Sequence, residues 1–281
     1  PVAVAAATGY KLKALGIYSL PDIANLAPSM SYQEIAGGGE GNRIYLRGIG
    51  RETSVTGTDP GVGVYNNGFY TSESAVMAAS VDRIERIEVL RGPQGTLYGR
   101  NTTGGALNLV AKKPGTESEA VARVNAGSYG RKQVELTYSA PLTDTFGVLV
   151  HMTDSSRDSY FTNTSGPQPI GIDNRYVEAQ FDWDLSESVN WHFRYFTAES
   201  SDETLGMVHL SPYMNGPTAP SKLGSLVINP ELFAPNMAPP SLDDPFMISS
   251  DMAGFVNVDD SNNYQSTFSI DLDAMTIRVL N

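Results

Sequence analysis

Arg175-Tyr176-Val177-Glu178-Ala179-Gln180-Phe181-Asp182-Trp183-Asp184 decides the fold. Val177, Ala179, Phe181 and Trp183 are apolar, and Glu178, Gln180, Asp182 and Asp184 between them are polar. A period of two is the signature of a strand with one wet face and one apolar face. The same alternation recurs at Val189, Trp191, Phe193 and Tyr195, at Val134, Leu136 and Tyr138, and at Tyr264, Phe268, Ile270 and Leu272. A soluble antiparallel sandwich alternates in the same way. These segments, however, run about ten residues, against about 5–6 in ordinary sheets.

The connections also alternate. Pro141–Asp144, Leu185–Glu187 and the stretch near Asp273-Ala274 are short, whereas roughly 156–174 and 201–262 are long. Short turns on one side and long loops on the other are what a transmembrane β-barrel requires. Gly127-Ser128-Tyr129-Gly130 is the one short outer connection. The expectation is about seven strands, near 118–126, 131–140, 145–155, 174–184, 188–200, 263–272 and 275–281. An open sheet edge in lipid leaves backbone groups unpaired at several kcal/mol each. Seven strands are therefore expected to be part of a larger barrel, and the chain to be part of a longer protein.

Composition narrows the function. Cysteine is absent, which removes disulfides, Cys-ligated zinc and thiol nucleophiles. His151, His192 and His209 are scattered, so no metal cage is expected. A net charge of −12 argues against nucleic acid. The charge is uneven: residues 1–115 carry 11 basic and 9 acidic residues, and residues 116–281 carry 8 basic and 22 acidic. The composition changes at Lys112-Lys113-Pro114-Gly115, which sets domains at 1–115 and 116–281.

The first domain reads as α+β. Ser19-Leu20-Pro21-Asp22 opens a short capped helix that ends before Pro28. Arg43–Gly48, Val81–Leu90 and Leu107–Val110 read as strands, and Asn66-Asn67-Gly68 marks a hairpin turn. No Gly-x-Ser-x-Gly, Walker-type loop or His-Glu-x-x-His occurs, so no catalytic residue is assigned and no cofactor or metal is expected.

Four ordered blocks resemble the plug of TonB-dependent outer-membrane receptors. They are Leu20–Pro28, Ile44-Tyr45-Leu46-Arg47-Gly48-Ile49-Gly50, Pro60–Tyr70, and Asp82–Asn101, which continues through Thr103–Leu109 to Lys112-Lys113-Pro114. The resemblance implies a globular α+β plug inside an antiparallel 22-stranded transmembrane barrel in the bacterial outer membrane, bordered by lipid and lipopolysaccharide. It implies uptake of an extracellular nutrient driven by TonB with ExbB and ExbD, with a ferric siderophore first. Haem, a saccharide or another organic substrate, and a passive plugged porin, are the alternatives. Relatives carry a TonB box ahead of the plug, and this chain starts at Pro1, where a family plug begins, which leaves the box absent here.

The resemblance also implies residue roles. Arg47 and Arg91 are candidates to pair with inward barrel carboxylates, with Glu135 and Glu178 as partners, because the guanidinium fork binds carboxylate bidentately. Ligand contacts are expected from Arg51, Tyr65, Asn66, Asn67, Phe69 and Tyr70 on the plug, and from His209 and Tyr213 on the long loop at 201–262. Asn66-Asn67-Gly68 stands where many relatives have Val-Asp-Gly, which removes a carboxylate from this tip.

Overall fold

The structure, a computed structural model, describes residues 3–15, 17, 21–33, 43–50, 59–71, 83–160, 162–163, 171–203, 221–223, 226–228, 247–248, 256–272 and 275–281. Two sheets organise it.

The first is five-stranded, in the order β1-β6-β7-β4-β5. Its strands are β1 (Ala3–Thr8), β4 (Val62–Asn66), β5 (Phe69–Tyr70), β6 (Ile84–Arg91) and β7 (Gly105–Ala111). β1 pairs antiparallel with β6 at one edge, β4 runs parallel to β7, and β5 closes a hairpin on β4 at the other edge. A helix α1 (Gly9–Ala14), a 3-10 turn (Pro21–Leu26) and the small hairpin β2 (Met30–Gln33) with β3 (Arg43–Leu46) belong to the same domain. Leu12, Ile17, Ile23, Leu46, Ile87 and Leu107 belong to its core. At about 1.5–3 kcal/mol for each fully buried side chain, that cluster is enough to hold a small domain together. The capped helix expected after Ser19 is present as the 3-10 turn, and a one-turn helix α2 (Gly95–Tyr98) is an addition that carries no apolar stripe to announce it.

Gly105 shows how tightly the first sheet is packed. Its φ is 151°, and a β-carbon there would stand 2.3 Å from the Leu90 carbonyl oxygen. Only glycine tolerates such an approach.

The second sheet is a seven-stranded meander in chain order, with excursions after β10 and after β13. It comprises β8 (Glu119–Ala126), β9 (Lys132–Pro141), β10 (Phe146–Arg157), β12 (Ile172–Ser186), β13 (Val189–Glu203), β17 (Val256–Leu272) and β18 (Met275–Leu280). The excursions hold β11 (Thr162–Asn163), β14 (Ser221–Leu223), β15 (Leu226–Ile228) and β16 (Met247–Ile248). β13 and β17 remain paired as far as Glu203 opposite Val256, inside the stretch read from sequence as loop. β13 ends in Glu199-Ser200-Ser201-Asp202-Glu203, which carries no alternation to mark it as strand.

The amphipathicity of this sheet is inverted relative to a soluble protein. Glu135, Ser139, His151, Glu178, Gln180 and Arg194 are buried, while Val124, Leu136, Tyr138 and Val150 are 75, 47, 51 and 50 % exposed. The polar face is covered by the first domain and the apolar face is bare. In water such an arrangement forfeits the hydrophobic contribution of every outward side chain, whereas in hydrocarbon it is the stable one. No described helix is long and apolar enough to cross a membrane.

The outward side chains form level rungs. Phe146, Trp183, Trp191 and Phe268 are register partners at one end, with Trp191 stacked on Phe268 at 5.2 Å. Asp154, Arg175 and Glu199 form a charged rung at the other, joined by Arg175–Asp154 at 3.1 Å. Arg175 and Trp183 are eight residues apart, about 26 Å along a strand. That is the scale of the ~25 Å apolar band of an outer-membrane barrel, with aromatic and charged residues at its borders.

Candidate functional site

The site built by this fold is the seam between the first domain and the polar face of the wall. Its centre is Glu178 on β12, fully buried. Alternation points it inward beside Tyr176 and Gln180. Arg194, one strand away on β13, donates from Nε to Glu178 Oε1 at 2.9 Å and from Nη2 to the Tyr176 hydroxyl at 3.0 Å. Tyr176 in turn donates to Glu178 Oε2 at 3.1 Å. From the plug, Arg83 brings its Nε to 3.6 Å from Glu178 Oε2 and donates from Nη2 to the Lys112 carbonyl at 3.1 Å. One buried carboxylate thus holds one guanidinium from each body. Removing either partner of such an arrangement leaves an uncompensated buried charge.

The β4–β5 hairpin inserts into the same network. Asn67 and Gly68 have φ of 54° and 85°, the left-handed pair that a two-residue type I′ turn demands. The turn lies against the wall. Arg194 Nη1 donates to Asn66 Oδ1 at 2.7 Å, and Gln265 Nε2 on β17 donates to the Asn66 carbonyl at 3.1 Å. Asn67 Nδ2 reaches Gln265 Oε1 at 3.5 Å, and its Oδ1 accepts from Ala111 N at 2.8 Å. Gly68 N donates to Asn108 Oδ1, and Asn108 Nδ2 donates to Glu88 Oε2 at 2.9 Å.

A second group of contacts follows the chain out of the plug. Gln180 Nε2 donates to the Lys112 carbonyl at 3.1 Å and also to Glu178 Oε1, while His192 Nε2 donates to Gln180 Oε1 at 3.0 Å. Lys113 Nζ meets Asp182 Oδ1 at 2.7 Å. Gly115 N donates to Ser139 Oγ at 2.9 Å. The contacts named here are hydrogen bonds and ion pairs, which water can replace when the two bodies separate, and Tyr176, Phe196 and Ala198 form a small buried apolar cluster on the same inner face.

Some residues singled out from sequence lie in this seam. Glu178 is its centre, but its guanidinium partners are Arg83 and Arg194. Glu135 pairs with Arg123 of the neighbouring strand β8 at 3.1 Å. Arg47 is exposed at a positive φ of 54°, its guanidinium beside Gly92, and the Arg91 Nε is buried without a hydrogen-bond partner among the described residues. No ion pair among the described residues joins either of them to Glu135 or Glu178. Nothing in the sequence distinguishes Arg83 from these two arginines, because the choice is made by the register of β6 against the wall.

The expected ligand contacts divide. Asn66 is 4 % exposed and faces the wall, and Tyr65 is 4 % exposed. Tyr65 donates to the Tyr98 carbonyl and packs edge-on against Tyr70 and Tyr98. Burial, with the neighbouring Tyr70 and Tyr98 adding to it, pushes its hydroxyl up from the usual phenol range. Asn67 and Phe69 are half-buried, and Tyr70 is 46 % exposed, its hydroxyl accepting from Asn101 Nδ2 at 3.1 Å. Arg51, His209 and Tyr213 lie outside the described residues, as does most of 201–262. No cluster of His, Cys, Asp and Glu able to hold a metal occurs among the described residues.

A wall with bare apolar outside and polar inside, carrying a folded domain on its inner face, is the arrangement that a plugged transmembrane β-barrel requires of its parts. Residues 1–106 match the family model described as TonB-dependent Receptor Plug Domain. It is 42 % identical over 76 residues to the metal-pseudopaline receptor CntO of Pseudomonas aeruginosa, covering 27 % of this chain and 11 % of that one. It is 28 % identical over 152 residues to the ferripyoverdine receptor of the same species, covering 53 % of this chain and 17 % of that one. In fold it is similar to the ferric yersiniabactin uptake receptor FyuA of Yersinia pestis, with a TM-score of 0.74 at 15 % identity over 97 % of this chain and 39 % of that one. The ferric-catecholate import receptor Fiu of Escherichia coli K12 gives a TM-score of 0.66 at 16 % identity, over 99 % and 37 %. The chain therefore spans well under half the length of the receptors it resembles.

Proposed function

We propose that the complete protein is an energised importer that carries a ferric siderophore across the bacterial outer membrane. The observation that carries this reading is the seam: a separately cored plug held on an inside-out wall by a network of hydrogen bonds and ion pairs around Glu178 and Arg194. A permanent stopper gains by a dry apolar interface, whereas a plug that must yield and return needs contacts that water can replace. The names of the relatives, which include receptors for ferripyoverdine and ferric yersiniabactin, support a ferric chelate as cargo. In this reading residues 1–115 are the plug, residues 116–281 begin a closed barrel of 22 strands, and TonB with ExbB and ExbD supplies the force. Ligand contacts are assigned to Tyr70, and to Arg51, His209 and Tyr213. Tyr65, Asn66 and Asn67 are assigned to packing and wall contact.

The test is growth of a deletion strain, complemented with the full-length gene, on defined ferric chelates with and without TonB. Growth that depends on both the receptor and TonB is the expected result. Equal growth without TonB would reduce the protein to a passive pore.

A further inference from the structure

Of the side chains assigned to ligand, that of Tyr70 is described, and it is 46 % exposed. We propose that Asn101 is a positioning residue that presets the Tyr70 hydroxyl as an outward hydrogen-bond donor, so that the group it takes from the ligand is an acceptor oxygen. The proposal rests on the reading of the complete protein as a ferric-chelate receptor.

The strand directions put this group toward the long connections. β4 and β7 run parallel, and β7 leads to Lys112 and Lys113, which meet Gln180 and Asp182 close to the short turn between β12 and β13. Asp59 and Asn101, just ahead of β4 and β7, therefore lie toward the opposite end. Their supports are firm. Tyr70 is the register partner of Tyr65, and the two rings pack edge-on at 5.6 Å. Thr102, 2 % exposed, donates from Oγ1 to the Gly99 carbonyl at 2.7 Å, and its own carbonyl accepts from Gln94 N. Asn101 has a φ of 65°, a left-handed conformation that asparagine and aspartate tolerate better than other side chains.

Asp59 fixes the direction of each hydrogen bond. An ionised carboxylate only accepts, so the Asn101 amide must turn its nitrogen toward it. Asn101 Nδ2 lies 3.1 Å from Asp59 Oδ1 and 3.1 Å from the Tyr70 hydroxyl oxygen. Its two hydrogens serve these two oxygens. The Tyr70 oxygen is thereby an acceptor, and its single proton is left to point away from Asn101. A donor fixed before the ligand arrives loses little freedom on binding. It selects an oxygen with a free lone pair, such as that of a hydroxamate or catecholate, and an ammonium or amide N–H held at the same place meets a proton.

The experiment uses the purified full-length receptor and two probes, a ferric trihydroxamate and a ferric tris-catecholate. Asn101→Asp keeps the shape and the backbone conformation but replaces the donor by an acceptor, so the Tyr70 proton turns inward. Without any ligand, the tyrosine Raman doublet of residue 70, isolated by subtracting the matching Tyr70→Phe spectrum, should change from that of an accepting hydroxyl toward that of a donating one. A chelate that binds should lose about tenfold in affinity in Asn101→Asp and in Tyr70→Phe, and no more in the double variant. A merely structural role for Asn101 would make the two losses multiply. An unchanged doublet, multiplying losses, or wild-type affinity in Asn101→Asp would overturn the proposal. Binding of neither chelate would remove the ligand oxygen along with the ferric-chelate reading, while the ligand-free spectra would still decide the orientation of Tyr70.

Discussion

Arg194 and Asn66 lie 128 positions apart in the chain, yet their side chains meet at 2.7 Å in a site from which both are almost wholly excluded from solvent. The guanidinium is shared among Asn66, Glu178, Tyr176 and Gln265, so its loss strips four acceptors at once. Arg194→Ala is expected to weaken plug docking by about 3 kcal/mol, the low end for a broken buried pair, because Arg83 still faces Glu178. Entry of a large antibiotic into cells carrying the full-length receptor measures the loosening. Wild-type exclusion by a folded variant contradicts it.

Glu178 should matter more than either of its cations. Glu178→Gln leaves two buried guanidiniums without a counter-charge and is expected to cost about 3–5 kcal/mol. Combining it with Arg194→Met removes part of that repulsion, so the double variant should be more stable than the sum of the two single losses. Thermal unfolding of the four proteins in detergent completes the cycle.

The outward face can be tested independently of the plug. Ala179 sits on the middle outward rung, between Val150 and Tyr195. Ala179→Arg should cost about 2–4 kcal/mol and reduce the amount assembled in the outer membrane. Asn125→Arg, on the opposite face beside Gln133, should assemble normally. Equal assembly of the two variants would contradict the assignment of faces.

Acid should loosen the plug through Glu88. Burial alone would raise its carboxyl, but the hydrogen bond from Asn108 and the Arg86 guanidinium outweigh this and hold it below the usual range. A carboxyl depressed in the folded state stabilises above its unfolded value of about 4.3, and the gain is lost as pH falls through the folded value. The pair is partly exposed, so the effect should stay under about 1 kcal/mol. Calorimetry of the receptor should show a plug transition that falls with acid in the wild type and falls less in Glu88→Gln.

Gly105→Ala should disrupt the plug with little effect on the wall. The added methyl group meets the Leu90 carbonyl oxygen and the Leu46 side chain inside the sheet. A cost of about 2 kcal/mol or more is expected from the backbone conformation and the collision together. Loss of the plug transition with the barrel transition retained is the predicted calorimetric result.

The wall was legible because a strand repeats every two residues, and Val177 to Trp183 declares both faces without reference to anything distant. The turn at Asn66-Asn67-Gly68 was legible for the equally local reason that two left-handed residues favour Asn and Gly. What the turn touches was not legible. That Asn66 meets Arg194 rather than a ligand depends on how two bodies dock, and neither sequence segment records the other. Glu178 could be placed on the wet face, but choosing Arg83 over Arg47 or Arg91 required the register between sheets. β1 carried no signal of its own, since alanines favour helix over strand.

The alternation of the wall strands has a consequence for the journey of the newly made chain. Because every second residue from Arg175 to Asp184 is polar, no single strand offers the unbroken greasy run of roughly twenty residues at which a secretion channel releases a segment sideways into the inner membrane. The oily surface comes into being only when neighbouring strands zip together, so the polypeptide can pass through one bilayer as a polar thread and become insoluble in water only on reaching the second.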